Sequence, residues 1–395
     1  MIRRCVASSS VALAVVCLTL VGSLNVALAT ASDPTRSSTG DAFYLPPVPL
    51  PTGKPGALIR AEPITAPAGA HAWRVLSHTK SIAGQDTALS GVIVAPDGPA
   101  PKGGRPIVAW AHGTTGLADS CAPSKAVDAA SRIPFVNELL AAGYVVAATD
   151  YQGLGTPGVH QYLVGESEGR AVLDTARVAR QLPTGAGKRV LIGGHSQGGH
   201  AALFASEIAP KYAPDLKVLG TAAGSPVTDV QQFLELAASS PFTAGFLVMG
   251  AEGYLVAYPE LSKAPLLTES AAARASVAVD RCASDAIIAY AGDAPGSVFT
   301  SDLNQIAIWR EKLVENSPGN RRAVAPILVW QGAADTLTPA SLVAPYVPKA
   351  CAKGSVVEYH EYAGANHGSV LDAAKNDVLA FFAARLNGTP PKSSC

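Results

Sequence analysis

A serine held between glycines, a carboxylate 139 residues later and a histidine 32 residues after that are the parts of this chain whose types and spacing could do chemistry. The serine is Ser196, in Val190-Leu191-Ile192-Gly193-Gly194-His195-Ser196-Gln197-Gly198-Gly199-His200, an apolar run that stops at a glycine-bracketed serine and then turns helical. On a sharp strand-to-helix turn, the residues two places either side of a nucleophile must be small, because the strained backbone leaves no room for Cβ atoms. Gly194 and Gly198 meet that need. The following helix points free N–H groups and its positive dipole end at negative charge developing beside the serine. A serine hydroxyl is too weak an acid to attack a carbonyl unaided. An imidazole must take its proton and return it to the leaving group, while a carboxylate fixes the imidazole tautomer.

The candidate acid and base each follow a strand-like run. Ala325 to Trp330 is apolar and opens into Gln331-Gly332-Ala333-Ala334-Asp335-Thr336-Leu337-Thr338-Pro339, which sets Asp335 in a small-residue loop. Ser355 to Tyr362 alternates with period two and leads into Ala363-Gly364-Ala365-Asn366-His367-Gly368, so His367 sits in a loop just before a helix. His360 is the rival base, but a side chain inside a strand is tied to one sheet face. It reads as structural. His195 is expected to pack under the turn, and His200 falls in the first helical turn. Asp150, at the end of another strand, is a rival acid; it precedes Ser196, and Gln152-Gly153-Leu154-Gly155 after it reads as a tight turn in which Asp150 holds backbone amides. Tyr151 beside it is a candidate pocket wall.

Runs bounded by Gly, Pro and Asp give eight expected strands: Trp73 to His78, Thr87 to Ala95, Pro106 to Ala111, Tyr144 to Asp150, Arg189 to Gly194, Lys217 to Ala223, Ala325 to Gln331 and Ser355 to Tyr362. Helical patterns cover Ile133 to Ala142, Glu166 to Gln181, Gln197 to Ala209 and Val370 to Leu386. The serine follows the fifth strand, the acid the seventh and the base the eighth. This is the order of an α/β-hydrolase fold: a mostly parallel eight-stranded sheet with flanking helices. Between about 225 and 320 no strand is expected. Helix-like segments at Asp229 to Ser239 and Leu303 to Glu315, with apolar clusters such as Phe242, Phe246, Leu247, Val248 and Met249, read as a helical cap inserted between strands six and seven. Such a cap would exclude water and supply an acyl pocket.

The strings Gly194 to Ala202, Asp150 to Gly158 with His160 and Tyr162, and His112-Gly113-Thr114-Thr115-Gly116 together resemble the secretory lipase family, the lipase-A type of α/β-hydrolase. The resemblance runs from about Leu45 to the C-terminus. It implies a secreted serine hydrolase of lipid or other carboxylic esters, with acyl transfer to alcohols as a side activity. Ser196, Asp335 and His367 are implied as its triad. The His112 to Gly116 stretch follows a strand and resembles the His-Gly loop of lipases and esterases, which gives one oxyanion-hole N–H while the residue after the nucleophile gives the other. Thr114 and Gln197 are the residues assigned.

Composition bounds the rest. A chain of 395 residues, 48% hydrophobic and 15% charged, is long enough for one large domain with an insertion. Its formal net charge of zero offers nothing to draw nucleic acid. No GxGxxG follows the first strand and no Cys/His spacing suits a metal, so no cofactor is expected. The partner expected is a small-molecule or lipid ester, with transient contact at a lipid interface. Arg3 and Arg4 precede an apolar stretch and then Ala27-Leu28-Ala29-Thr30-Ala31, a signal peptide over residues 1–31 cleaved after Ala29 or Ala31. Residues 32–55 read as a Pro/Ser/Gly-rich extended leader with little fixed structure, and 56–395 as the hydrolase domain.

Outside the signal, Cys121, Cys282, Cys351 and Cys395 allow three pairings. Cys121–Cys282 with Cys351–Cys395 is preferred, since it ties the oxyanion-side loop to the cap and the tail to the loop before the last strand. Each link would contribute roughly 3–4 kcal/mol. The function expected is ester hydrolysis by a secreted lipase. A short-chain carboxylesterase or an acyltransferase of the same fold, a peptidase using the same triad, and a non-catalytic binding module are the competing readings.

Overall fold

The computed structural model describes residues 40–240, 243–262, 266–294, 296–299 and 306–395. The expected signal peptide, residues 32–39 of the leader, Phe242 and residues 303–305 of the expected insertion helix lie outside the described residues.

Among the described residues nine strands form one sheet: β1 (Leu58–Ile64), β2 (Ala70–Lys80), β3 (Asp86–Pro96), β4 (Arg105–Ala111), β5 (Val145–Thr149), β6 (Ala186–His195), β7 (Lys217–Gly224), β8 (Ile327–Gly332) and β9 (Val357–Tyr362). Their spatial order is β1-β2-β3-β5-β4-β6-β7-β8-β9. Eight of these match the expected strands, and β1 corrects the count to nine. Its sequence Leu-Ile-Arg-Ala-Glu-Pro-Ile is only partly buried and pairs on one side with β2. An edge strand that carries charges and a proline shows neither the apolar run nor the clean period-two alternation by which the others are recognised.

From β5 through β4, β6, β7 and β8 to β9 every pairing is parallel. Parallel strands with helical crossovers are covered on both faces, and successive side chains must feed opposite cores. In β4, Ile107, Ala109 and Ala111 enter one core while Val108 and Trp110 enter the other. Helices α2 (Gly165–Ala179) and α3 (Gln197–Tyr212) cover the first face through residues such as Val172, Ala176, Ala201 and Ala205. Helix α1 (Val136–Ala141) and helix α12 (Val370–Leu386) cover the second through Leu139, Val370, Val378 and Phe382. Helix α1 is shorter than its pattern suggests. Pro134 precedes Phe135, whose φ of 62° breaks the helical path before Val136.

Between β7 and β8 the chain forms helices α4 (Val230–Ala238), α5 (Ala244–Ala257), α6 (Glu269–Ala273), α7 (Ala275–Asp280), α8 (Ala283–Tyr290) and α9 (Ala307–Glu315). Helix α5 is apolar on nearly all sides and buries Leu247, Val248, Met249 and Tyr254, as a helix surrounded by others must. It packs so closely on α8 that a Cβ at Gly245 would stand 2.7 Å from the Ala286 carbonyl. Two further short helices, α10 (Ala340–Val343) and α11 (Tyr346–Ala352), lie between β8 and β9.

Within the Pro/Ser/Gly-rich stretch, Phe43 and Tyr44 are buried against Leu76 and Ala88. Fixed structure there begins before residue 55, because two aromatic rings find a cleft. Cys121–Cys282 joins the loop after β4 to the start of α8, and Cys351–Cys395 fastens the C-terminus to α11.

Candidate active site

Strand register decides which loops meet. Ala111 pairs with Gly194, His195 with Gly224, Gly224 with Trp330, and Gly332 with Tyr362. The carboxyl ends of β4, β6, β8 and β9 therefore lie at one edge of the sheet. The residues that follow them are the His112–Gly116 loop, Ser196, Asp335 and His367.

Ser196 sits at φ 61°, a left-handed conformation costly for a side-chain-bearing residue, between the end of β6 and the first residue of α3. The flanking glycines are sterically required: a Cβ at Gly194 would lie 2.1 Å from the Gly198 carbonyl oxygen, and one at Gly198 2.0 Å from that of Ala111. Both approaches are to backbone, which cannot swing away. The Ser196 amide donates to Gly224 O at 2.8 Å, anchoring the turn to β7.

Asp335 and His367 are brought together directly. His367 Nδ1 donates to Asp335 Oδ2 at 2.7 Å, which leaves Nε2 as the nitrogen free to accept a proton. Asp335 Oδ1 also accepts from the Leu337 and Thr338 amides at 2.9 Å, and Oδ2 from the Thr338 hydroxyl at 3.0 Å. Burial pushes this carboxyl up. Hydrogen bonding and charge from His367, with the Thr338 amide, outweigh that and pull it down to about 2. The loops are stitched together, since Ala334 N donates to Ala365 O at 2.9 Å and Ala333 N to Tyr362 O at 3.0 Å.

Ser196, His195 and His367 line one cavity of about 840 Å³, with Gly113 and Thr114 on one side and Phe246 and Ile287 of the insertion on another. Among the contacts of the described residues, Ser196 Oγ makes no hydrogen bond with His367. The His195 and His367 rings lie 4.6 Å apart between centroids, and His195 stacks on Trp330 at 5.5 Å. Burial, with the charge of His367, drives His195 down to about 3, so it is uncharged at neutral pH. Instead of packing under the turn, as its place in the sequence suggests, it lines the cavity beside His367.

Thr114 and Gln197 flank the serine. Gln197 is the first residue of α3, where a backbone N–H has no partner within the helix. Gly113 brings the other loop so near that a Cβ on it would stand 3.7 Å from Ser196 Cβ. The Thr114 hydroxyl is held by Tyr162 OH at 2.9 Å.

The rivals are placed elsewhere. His360 pairs with Glu358 at 2.8 Å, lies 3.5 Å from Asp377 and does not line the cavity. Asp150 is buried, accepting from Ser90 Oγ at 2.7 Å and from the Ser124 amide at 2.9 Å, so it organises loops. Tyr151 does not line the cavity, contrary to its reading as a pocket wall. A φ of 69° turns it inward, where its hydroxyl donates to His112 O at 2.9 Å.

Sequence reasoning did not single out Thr338, although Asp335-x-x-Thr338 is a carboxylate followed at i+2 and i+3 by the amides it caps, a pattern visible in retrospect. Nor did it find Glu168, which reads as one more polar residue on α2 yet is wholly buried. Among the described residues no cluster of three or more His, Cys, Asp or Glu is arranged as a metal would require.

A family model described as "Secretory lipase" matches residues 122–394. Lipase A of Moesziomyces aphidis is 26% identical over 64% of this chain, which spans only 56% of that protein. A Mycobacterium tuberculosis protein named a probable inactive lipase is 25% identical, covering 89% of this chain and 82% of its own length. Among solved structures, Candida antarctica lipase A shares the fold with a TM-score of 0.75 at 22% identity, over 89% of this chain and 87% of that one.

Proposed function

The chain belongs to the secretory lipase family, and from that premise and the geometry of the cavity we propose that it is a secreted serine hydrolase of carboxylic esters, a lipase working through an acyl-enzyme on Ser196. The observation that carries this reading is the His367 Nδ1 to Asp335 Oδ2 hydrogen bond, 2.7 Å long, in the wall of the cavity that also holds Ser196. Ser196 Oγ attacks the ester carbonyl carbon while His367 Nε2 takes its proton. Asp335, ionised and buried, holds the imidazole in the tautomer that can accept and stabilises the imidazolium that forms. The oxyanion is received by the Gln197 and Thr114 N–H groups. His367 then protonates the departing alcohol, and a water activated by the same nitrogen releases the acid. A serine–histidine bond absent before substrate binds is usual for such sites, which tighten in the substrate complex.

The helical insertion serves as the cap, with Phe246 and Ile287 toward the acyl chain and the Cys121–Cys282 link holding α8 beside the oxyanion loop. Export through the N-terminal signal accords with both disulfides. The exported protein is expected to begin at Thr30 or Ser32 by N-terminal sequencing.

The deciding experiment is fluorophosphonate labelling of the pure protein, followed by hydrolysis of p-nitrophenyl esters from acetyl to long chain and of triglyceride emulsions. Labelling at Ser196, with turnover abolished in Ser196→Ala and thermal unfolding nearly unchanged, supports the proposal. No labelling and no turnover would overturn it and place this chain with its relative named a probable inactive lipase. Turnover confined to short acyl chains would make it a carboxylesterase.

A further inference from the structure

Behind the oxyanion side of the cavity lies a buried polar cluster that the proposed reaction does not use. Glu168 of α2 is its centre and is 0% exposed. Its Oε1 accepts from the Gln197 side-chain amide at 2.8 Å and from the Leu163 amide at 2.9 Å. Its Oε2 faces His200 Nδ1 at 2.6 Å. His200 Nε2 lies 2.8 Å from the Asn316 carbonyl, which can only accept, so that nitrogen carries a proton. The Gln197 amide reaches His160 Nε2 at 2.7 Å, and His160 Nδ1 faces the Gln152 carbonyl at 3.0 Å. One proton assignment satisfies this arm: His160 donates from Nδ1 to Gln152 O and accepts at Nε2 from Gln197, whose second amide hydrogen goes to Glu168. Burial lowers His160 to about 4, in keeping with its neutral form.

An ionised carboxylate beneath an oxyanion site would oppose the charge forming there. A buried carboxyl is also expensive without partners. The proton held between Glu168 and His200 cancels that charge locally, so the cluster costs the oxyanion little and can act by position alone. Its far end is fixed as well, because Asn316 Oδ1 accepts from the Gly165 amide at 2.8 Å and Asn316 Nδ2 donates to Tyr258 OH at 2.7 Å.

We propose that Glu168 is a positioning residue for ester hydrolysis, holding the Gln197 side chain so that the Gln197 backbone N–H beside Ser196 points at the developing oxyanion. The inference rests on the oxyanion role given to Gln197 above. Its signature is an effect on the transition state with little effect on ground-state binding.

The test compares Glu168→Ala, Glu168→Gln and Gln197→Leu with the wild type. Glutamine keeps an oxygen for Leu163 and Gln197 and an N–H for neutral His200, so it retains most of kcat. Alanine and Gln197→Leu each lower kcat about 10–100-fold, less than the loss of an oxyanion donor outright, with KM within about threefold. Affinity for a trifluoromethyl ketone inhibitor, which forms an oxyanion, falls in parallel with kcat/KM. The double variant Glu168→Ala with Gln197→Leu is no worse than either alone, because both act through one amide. An unchanged kcat in Gln197→Leu, or equal losses in Glu168→Gln and Glu168→Ala, overturns the proposal. Should Glu168→Ala fail to fold, Gln197→Leu and Glu168→Gln still decide. Fluorophosphonate labelling of wild-type Ser196 separates the outcomes: labelling with an unaffected Gln197→Leu sinks this inference alone, and no labelling sinks the ester-hydrolase reading beneath it.

Discussion

Asp335 and His367 are held by their sequence neighbours: the Leu337 and Thr338 amides cap the carboxylate, and Asn366 Oδ1, accepting from the Gly368 and Ser369 amides, shapes the histidine loop. Gln197 and Thr114, on the opposite wall, are held by residues 29 to 48 positions away: Glu168, His160 and Tyr162. A disulfide with a sequence separation of 161 then ties that wall to the insertion. A proton relay needs one short hydrogen bond between two loops on adjacent strands, which local turns can set. An oxyanion hole needs two backbone N–H groups aimed from separate strands, and only long-range contacts can fix their mutual angle.

The largest expected effect breaks the locally built wall at its centre. Asp335→Asn should cut kcat by on the order of 10⁴, since an amide favours the wrong imidazole tautomer; it should also lower stability at neutral pH, because the ionised carboxylate is the form the fold favours. If Asp150→Asn gave that loss instead, the acid–base wall would have been assigned to the wrong carboxylate. Replacing Cys121 and Cys282 by serine strikes the long-range wall. Stability should fall by about 4 kcal/mol, read by denaturant titration, with kcat reduced through the freed oxyanion loop. Replacing Cys351 and Cys395 should cost somewhat less stability and leave kcat alone; equal losses of activity would erase the distinction.

Thr338→Val sharpens the contrast from within the acid–base wall. It removes one hydroxyl donor to Asp335 but keeps the amide, and about a tenfold fall in kcat is expected. The pH dependence follows from the sign of the shift. Asp335 is depressed to about 2 in the folded protein, so its stabilising contribution is present above the unfolded value of about 3.8 and is lost as pH falls through about 2. In Thr338→Val that loss moves to higher pH, measurable by acid unfolding. The smallest effect is Tyr162→Phe, which frees the Thr114 hydroxyl without touching its amide and should lower kcat by about two- to fivefold. A larger loss would show that the tyrosine sets the loop itself.

What could be read from the chain follows the same division. The glycines around Ser196 are visible because a steric requirement there admits one residue type, and the structure gives its reason in backbone oxygens 2.0–2.1 Å from where a Cβ would stand. The central strands show as apolar runs because strands covered on both faces must be apolar throughout, while Ser355 to Tyr362 shows by its period-two alternation. Strand β1 escaped, since its partner supplies through hydrogen bonds what its own side chains do not advertise. Glu168 was illegible for a related reason, and so was its pairing with His200: a polar residue on a helix looks solvated until something covers it, and the cover comes from residues as far off as Asn316.

By itself the sequence determined the order of strands and helices, the turn that strains Ser196 into place, and the loops that present Asp335 and His367, because each depends on sterics and hydrogen bonds within a few residues. Only the tertiary structure decided that the carboxyl ends of β4, β6, β8 and β9 share one edge, that Glu168 lies in the dark beneath Gln197, and that Phe246 and Ile287 face the same cavity as the serine. Burial and register belong to pairs of distant segments, and no stretch of chain read alone carries the energy of a contact with a stretch it has not yet met.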